Sequence, residues 1–465
     1  MELPRYVVIK SPENQKYLRY IYEDIQVHGL LQFSGEEVVS PYVKFEVEPA
    51  KIGKGLVHIR CCYNNKYWVR WTDKNYWIVS AADHPEEDDS KWNCTLFKPI
   101  VVDGDLQNVR LLHVQLNQYC GLWWTNTHHN KCLFAGAKTP DQYPVTKIAV
   151  LDWESFLIFP KHVAFKGDNG LFLSARWING LPHHEFAIDD VGHPSVGYEI
   201  FTTHDGSIRV KSDYFGKFLA RRRYDWLLAD VNEDDKTPDS LFWPVKVDTN
   251  IVALKNLGNN FFCKRLTAEG KTNCLNAAVP TIAREARLEV VELVVSRQIY
   301  NVNFRLLDAR IYNEKPISMT KGYAVNSSSQ SNEAEVKLTY TETTSSTWNA
   351  SVSLKLGVHT TIKTGIPFIA EGQIDISADL EGSYEWGKTR EESKVIETVY
   401  KVTVPPNTKM TITLLATKGS CDVPFSYSQR DTLTNGMQVT RYLHDGIYTG
   451  INCFNFKYET KEEKL

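Results

Sequence analysis

Residues 347–387 read TWNASVSLKLGVHTTIKTGIPFIAEGQIDISADLEGSYEWG, and their pattern determines the structural class that the sequence predicts. Every second residue is apolar in two arms, with Thr360 the one exception, and polar residues lie between them. This period-two alternation over arms of about 16 residues predicts two long β-strands with one apolar face and one hydrated face. Strands usually have roughly 5–6 residues, so these arms are unusually long. We expect the turn between them at residues 364–370.

A transmembrane β-hairpin has this signature. Placing Lys363 opposite Glu371 predicts a register in which Trp348 faces Trp386 and Val358 faces Ile376, with apolar pairs on one face. The first arm would span roughly 46 Å at about 3.3 Å per residue, enough to cross a hydrocarbon core of about 30 Å when tilted. The predicted membrane-inserting residues are Trp348, Val352, Leu354, Leu356, Val358, Ile362, Ile366, Phe368, Ile374, Ile376, Leu380 and Trp386.

The opposite face of this hairpin would line a water-filled lumen. A single hairpin would leave its edge amides unsatisfied in lipid, so insertion requires a ring of hairpins from several subunits and predicts a homo-oligomer. With Glu385, the lumen carries five carboxylates against two lysines, and this excess predicts cation selectivity. The alternative is a β-sandwich whose apolar face is simply its core. The predicted lumen residues are Lys355, Lys363, Glu371, Asp375, Asp379 and Glu381.

Composition excludes several classes of protein. The 465 residues carry a net charge of −3, which argues against nucleic acid as a partner because phosphates attract basic surfaces. The sequence has no run of 18 apolar residues and no signal-peptide core. Nine cysteines without a C-x-x-C pair favour free thiols in a reducing compartment. We therefore expect a cytoplasmic protein that associates with membranes as an oligomer.

Upstream of the hairpin, short strands and polar turns recur. Residues 65–70 (NKYWVR) and 216–221 (GKFLAR) are each followed by a Tyr and Trp pair, an acidic turn and an aromatic strand ending in proline. A polar turn and strand repeating every 40–50 residues predict two tandem β-trefoils, at 1–150 and 155–295, joined by a short helix near 152–156. Residues 297–465 are predicted to form an elongated antiparallel β-module. The predicted fold class is all-β.

Residues 8–295 resemble amaranthin-type plant lectins, which have two tandem agglutinin domains. The resemblance is carried by residues 14–20 (NQKYLRY), 29–34 (GLLQFS), 45–49 (FEVEP), 109–116 (VRLLHVQL) and 274–278 (CLNAA). Residues 297–465 resemble aerolysin-type pore-forming modules through the Ser/Thr-rich hairpin and residues 404–409 (VPPNTK). These resemblances imply a glycan-targeted pore-forming protein with a role in plant defence.

A sugar site is predicted at Lys74, Asn75, Tyr76 and Trp77, because lectins stack sugars on aromatic rings and bind hydroxyls through amides and charges. The resemblance implies that this stretch binds glycans with terminal N-acetylgalactosamine or the T-disaccharide. It also implies that a second-domain loop of a partner subunit in a head-to-tail dimer completes the site, here through His184 and Glu185. The alternative is that Trp77 is an ordinary core aromatic residue.

No arrangement of residues indicates catalysis. The histidine pairs lack the H-E-x-x-H spacing or cysteine partners of a zinc site, and no G-x-S-x-G motif occurs. We expect neither an enzyme nor a cofactor. The main alternative to a pore former is a soluble sugar-binding defence lectin whose C-terminal β-module mediates assembly without entering a membrane.

Overall fold

The computed structural model describes residues 2–140, 144–351, 354, 357–378, 380–384 and 386–465. Within these ranges the regular structure is β-strand with short 3-10 turns and no α-helix, which confirms the predicted all-β class. No helix in this part of the chain is long and apolar enough to cross a membrane. The predicted short helix near 152–156 is a 3-10 turn, Trp153–Ser155, in which the amide of Glu154 donates to the side chain of Asp152.

The described chain forms two compact units. One contains residues 1–298, 351–360 and 429–441, and the other contains residues 299–350, 361–428 and 442–465. Within the predicted hairpin, the described residues 351, 354 and 357–360 therefore belong to the unit that holds the N-terminal sheets. The remainder belongs to the C-terminal module.

The first sheet has twelve strands, the number that three four-stranded units give. Its order is β12-β1-β2-β3-β11-β10-β9-β8-β5-β6-β7, with β4 paired to β1 and β5. Alternating apolar residues enclose a core that includes Phe33, Phe45, Trp68 and Phe97, each below 2% exposed. The strands are β1 Tyr6–Lys10, β2 Tyr17–Tyr20, β3 Leu31–Gly35, β4 Phe45–Pro49, β5 Val57–Cys61, β6 Lys66–Arg70, β7 Ile78–Ala82, β8 Phe97–Val102, β9 Asp105–His113, β10 Gln118–Trp123, β11 Cys132–Ala137 and β12 Ala149–Asp152.

The second sheet also has twelve strands, in the order β14-β15-β23-β22-β21-β24-β13-β16-β17-β18-β19, with β20 paired to β17 and β21. Phe165, Phe186, Tyr198 and Phe242 are the large side chains of its core. Its strands are β13 His162–Lys166, β14 Phe172–Ile178, β15 Leu181–Ile188, β16 Tyr198–Thr202, β17 Ile208–Ser212, β18 Lys217–Arg221, β19 Leu227–Val231, β20 Phe242–Lys246, β21 Ile251–Asn256, β22 Phe262–Ala268, β23 Lys271–Val279 and β24 Leu288–Glu292.

The described part of the C-terminal module combines six long strands of 11 to 27 residues with four short strands of 4 or 5 residues. Its main sheet has the order β31-β28-β25-β33-β34-β27-β32, with β26 paired to β33, and β29 and β30 form a separate two-stranded sheet. The strands are β25 Val294–Phe304, β26 Arg310–Asn326, β27 Asn332–Asn349, β28 Thr360–Thr364, β29 Pro367–Ala370, β30 Gln373–Ile376, β31 Leu380–Tyr384, β32 Thr389–Val404, β33 Thr408–Leu433 and β34 Gln438–Lys464.

The turn and register predicted for residues 347–387 differ from the structure. The chain reverses at Glu371-Gly372, both with positive φ (50° and 79°), between β29 and β30. Two consecutive positive φ angles form the type I′ turn that suits the twist of a two-residue hairpin. Ile376 pairs with Pro367 and β28 pairs with β31, so the predicted facing of Val358 and Ile376 is wrong for this folded form. The described parts of the segment form short strands, and Trp348, Ile362 and Ile369 are buried in the core of the module.

Some predicted hairpin residues lie outside the described part of the chain. These are Val352, Lys355, Leu356, Asp379 and Glu385, and the side chains of Leu380 and Glu381.

Candidate functional site

The predicted sugar-binding residues lie on the turn between β6 and β7. The Arg70 guanidinium, 4% exposed, donates to the backbone oxygens of Asp73 (3.0 Å) and Asn75 (3.1 Å) and to Gln115 Oε1 (2.9 Å). Burial lowers the pKa of Arg70. The Asn75 side chain donates to Thr72 Oγ1 and accepts from the amide of Trp77. The turn is therefore fixed from inside, and the Asn75 amide is already engaged within it.

Trp77 is half-buried, and neighbouring rings cover it. His129 stacks on it at 5.0 Å with an interplanar angle of 23°, and Phe134 meets it edge-on at 4.6 Å. It also packs against the cluster that contains Leu30, Val69 and Val79. Burial is the main cause that lowers the pKa of His129, which favours its neutral form beside the indole. Trp77 therefore packs under the surrounding rings, and little of its indole is accessible to a ligand.

Two other rings are more accessible around this turn. Trp71 is 39% exposed and Tyr76 is 37% exposed. Trp71 lies 5.4 Å from His129, Tyr76 lies over Arg70 at 5.4 Å, and Lys74 is exposed beside them. We define Trp71, Lys74, Asn75, Tyr76, Trp77 and His129 as the aromatic turn. Sequence reasoning missed Trp71, although it directly follows β6, and it missed His129, which no local pattern connects to this turn.

The second-domain residues predicted to contact sugar lie on β15, which pairs with β14 and β23. His184 is fully buried, its Nδ1 lies 2.9 Å from Tyr198 Oη, and burial lowers its pKa to about 3. It has no surface through which to contact a sugar in this fold, and its neighbour His183 is buried as well. Glu185 points the other way and pairs with Arg176 at 3.3 Å.

Most of the described residues that were predicted to insert into a membrane pack against the core of the C-terminal module. Trp348 and Ile362 are each 1% exposed. Trp348 packs edge-on against Tyr448 (4.9 Å) and Phe425 (5.4 Å). Ile366, Ile374 and Trp386 border the same core cluster. Most of the described apolar face is thus hidden in the folded chain, as the alternative of an ordinary core also requires.

Four apolar positions have other surroundings. Leu354 is 4% exposed and packs with the core of the second twelve-stranded sheet. Phe368 and Ile376, near the tip, are 38% and 41% exposed, and Val358 is half-buried. Among the predicted lumen residues, Lys363, Glu371 and Asp375 are exposed. The described part of the chain brings no three His, Cys, Asp or Glu residues together in a way that could hold a metal ion.

Comparison with protein families gives two matches. Residues 1–151 and 157–294 match the agglutinin domain, so this match repeats within the chain. Residues 289–439 match the aerolysin toxin family.

Two curated proteins are similar to about a third of this chain at low sequence identity. Natterin-3 of Thalassophryne nattereri is 29% identical over 164 residues, which is 35% of this chain and 45% of natterin-3. Natterin-1 of the same organism is 26% identical over 161 residues, again 35% of this chain and 45% of the relative. The chain spans about half the length of these curated relatives.

Two solved structures are distantly similar to parts of this chain. A lamprey immune protein aligns with a TM-score of 0.32 and 15% identity, covering 66% of this chain and 93% of that protein. An aerolysin-like protein of Bombina maxima aligns with a TM-score of 0.25 and 12% identity, covering 36% of this chain and 99% of that protein.

Proposed function

This chain belongs to the agglutinin domain family, and because an aerolysin toxin domain follows its two agglutinin domains, we propose that it is a lectin that concentrates an oligomerising pore-forming module on glycosylated membranes. The glycans proposed are those with terminal N-acetylgalactosamine or the T-disaccharide, bound at the aromatic turn. Binding at a surface raises the local concentration of the module, and this promotes assembly of a ring. The expected role in plant defence stays a prediction.

The observation that carries this proposal is the ladder between β27 and β32. It runs without interruption from Asn332 paired with Val404 to Thr347 paired with Thr389, directly into the alternating segment. If the same register continued, Val358 would face Ala378 and Ile362 would face Ile374. In this register each residue of the first arm faces a partner two positions further along the chain than the sequence predicts. Because the shift is an even number of residues, apolar and polar side chains stay on the faces predicted for them. One hairpin would then have a continuous apolar face and a continuous polar face.

The ladder also suggests where the membrane boundary would lie. The pairs just before the segment, on the face that would meet lipid, are polar: Glu342 with Lys394, Thr344 with Glu392, and Ser346 with Arg390. Charged residues are costly in the hydrocarbon core. Trp348 comes next on this face, and indole rings favour the interface. We therefore place the boundary at Trp348, with the polar ladder in water.

The test uses two neighbouring residues that are both exposed before insertion, Asp375 and Ile376. An environment-sensitive dye is attached at Asp375→Cys or at Ile376→Cys. Labelling of the folded protein favours these sites because eight of the nine native cysteines are buried and Cys62 is half-buried. The proteins are added to vesicles with and without a glycolipid that ends in N-acetylgalactosamine.

The proposal predicts a blue shift at position 376 and little shift at position 375, together with release of an entrapped dye that needs the glycolipid. Binding to the vesicles without a shift at either position would contradict insertion. That outcome would support the alternative, a lectin whose β-module only mediates assembly.

A further inference from the structure

The tip of the alternating segment has an unusual attachment. Strands β29 and β30 form a sheet of their own, so the outer edge of β29 is not part of the main ladder. The amide of Ile369 donates to Asn452 Oδ1 at 2.9 Å, and Asn452 Nδ2 donates to the carbonyl oxygen of Ile369 at 2.8 Å. One side-chain amide on β34 thus makes the two bonds that a neighbouring strand would otherwise make.

Both partners are shielded from water. Asn452 is 8% exposed and Ile369 is 1% exposed, with the Ile369 side chain in the module core. Asn452 Nδ2 also lies 3.1 Å from the carbonyl oxygen of Cys453, to which it donates. Hydrogen bonds between buried groups resist opening, because each group that loses its partner without reaching water costs roughly 1–3 kcal/mol.

Packing around this attachment is incomplete. A cavity of about 210 Å³ lies beside it, lined on the hairpin side by Ile366, Pro367 and Phe368 and on the sheet side by Thr344, Tyr448 and Ile451. The buried Ile369 and its two bonds to Asn452 fasten the tip beside this cavity, together with the apolar contacts of Ile366 and Ile374.

We propose that Asn452 is a latch that keeps the β29–β30 hairpin docked and sets how often it opens. The docking role of Asn452 does not depend on the proposed function. That opening of the latch precedes insertion does rest on it. Asn452→Ala removes both bonds to Ile369. Asn452→Asp retains an acceptor for the Ile369 amide but loses the donor, and it keeps the side-chain shape should the alanine variant fail to fold.

The experiment is hydrogen exchange measured by mass spectrometry on the full chain without vesicles. The matched control is Asn303→Ala, which alters an exposed asparagine on β25 of the same module. Asn452→Ala should speed exchange in peptides covering residues 366–377 by about tenfold or more, as expected when local opening becomes easier. Asn452→Asp should give a smaller increase. The twelve-stranded sheets and the control should exchange as in the unaltered protein.

Unchanged exchange at residues 366–377 in both Asn452 variants would overturn the latch. Dye release from glycolipid vesicles, measured in parallel, separates this result from the proposed function. Faster exchange together with faster release supports both. Faster exchange while no protein, altered or not, releases dye supports the latch and contradicts pore formation.

Discussion

Arg297 donates through Nε and Nη2 to both carboxylate oxygens of Asp431, at 2.7 and 3.0 Å, although 134 residues separate them. Glu292 accepts a further bond from Arg297 at 2.6 Å, and Gln429 donates to Asp431 at 2.7 Å. Arg297, Asp431 and Glu292 have side chains no more than 8% exposed. This buried network ties the start of β25 to the end of β33, near the point where the chain leaves the second sheet.

Asp431→Ala should lower the free energy of unfolding by about 3–5 kcal/mol, because it leaves a buried guanidinium with one carboxylate fewer. Denaturant unfolding followed by tryptophan fluorescence measures the change. The control is Glu335→Ala, whose pair with Lys401 at 3.0 Å is exposed on both sides and should cost less than about 1 kcal/mol. Equal losses in the two variants would contradict a structural role for the buried pair.

Stability should fall as the medium becomes acidic, partly through His184. Burial lowers its pKa to about 3, whereas an unfolded histidine titrates near 6.5. Between these values the unfolded chain binds a proton that the folded chain does not, so acid favours unfolding. At pH 5 the effect is about 2 kcal/mol for this residue, at 1.36 kcal/mol per pH unit.

His184→Gln should therefore flatten the dependence of unfolding free energy on pH between 7 and 4. Some slope should remain, because burial also lowers the pKa of His183 to about 4. The comparison variant is His128→Gln, whose side chain is 61% exposed and which controls for the loss of a histidine at the surface. A His184 variant with the full slope would show that another group dominates.

Features set by neighbouring residues, such as turns and strand periodicity, were easier to predict from the sequence than contacts between distant segments. The turn at Asn179-Gly180, with φ of 52° and 74°, is a recognised hairpin signal that one dipeptide reveals. Glu371-Gly372 makes the same turn, but glutamate is not a typical first residue there, and the prediction placed the reversal earlier, at 364–370. The period-two pattern correctly predicted that Trp348 and Ile362 lie in apolar surroundings, since this pattern is a local property of each strand.

Pairing between distant segments was harder to predict. The alternating pattern of Trp348 and Ile362 is the same whether their partner is lipid or Phe425, because both environments are apolar. Likewise, the sequence around His184 does not show that β15 lies inside a sheet. Trp77 was recognisable as an aromatic residue in a polar turn, whereas its cover by His129 depends on a contact across the first domain.

Sugar binding at the aromatic turn should depend on its accessible rings. Trp71→Ala and Tyr76→Ala should each weaken binding to glycans ending in N-acetylgalactosamine by about two- to tenfold, since stacking on one aromatic ring contributes roughly 0.5–1.5 kcal/mol. Trp77→Ala should abolish binding, because it removes the ring on which His129 rests. Glycan-array or calorimetric titration measures these changes.

Trp92→Ala provides the control for sugar binding. Trp92 is 45% exposed in the same domain but away in sequence from the turn, so its loss should leave affinity unchanged. Thermal unfolding of each variant separates a lost contact from a lost fold. A folded Trp77→Ala protein that retains glycan binding would contradict the predicted site.

If the module forms a pore, Glu371 and Asp375 should help make it cation-selective. Both are exposed in the folded chain and would lie on the polar face of the extended hairpin. The double variant Glu371→Gln with Asp375→Asn removes two of the five carboxylates that oppose two lysines on that face. Around a ring this loss multiplies, and the reversal potential across a planar bilayer under a salt gradient should move toward zero.

Glu37→Gln tests whether that shift is specific to the pore. It removes a carboxylate that is exposed on the first domain and does not belong to the alternating segment. It should leave the reversal potential unchanged. Raising the salt should also reduce the selectivity of the unaltered pore, because the lumen carboxylates are then screened. Anion preference in the unaltered protein would contradict the assignment of these residues to the lumen.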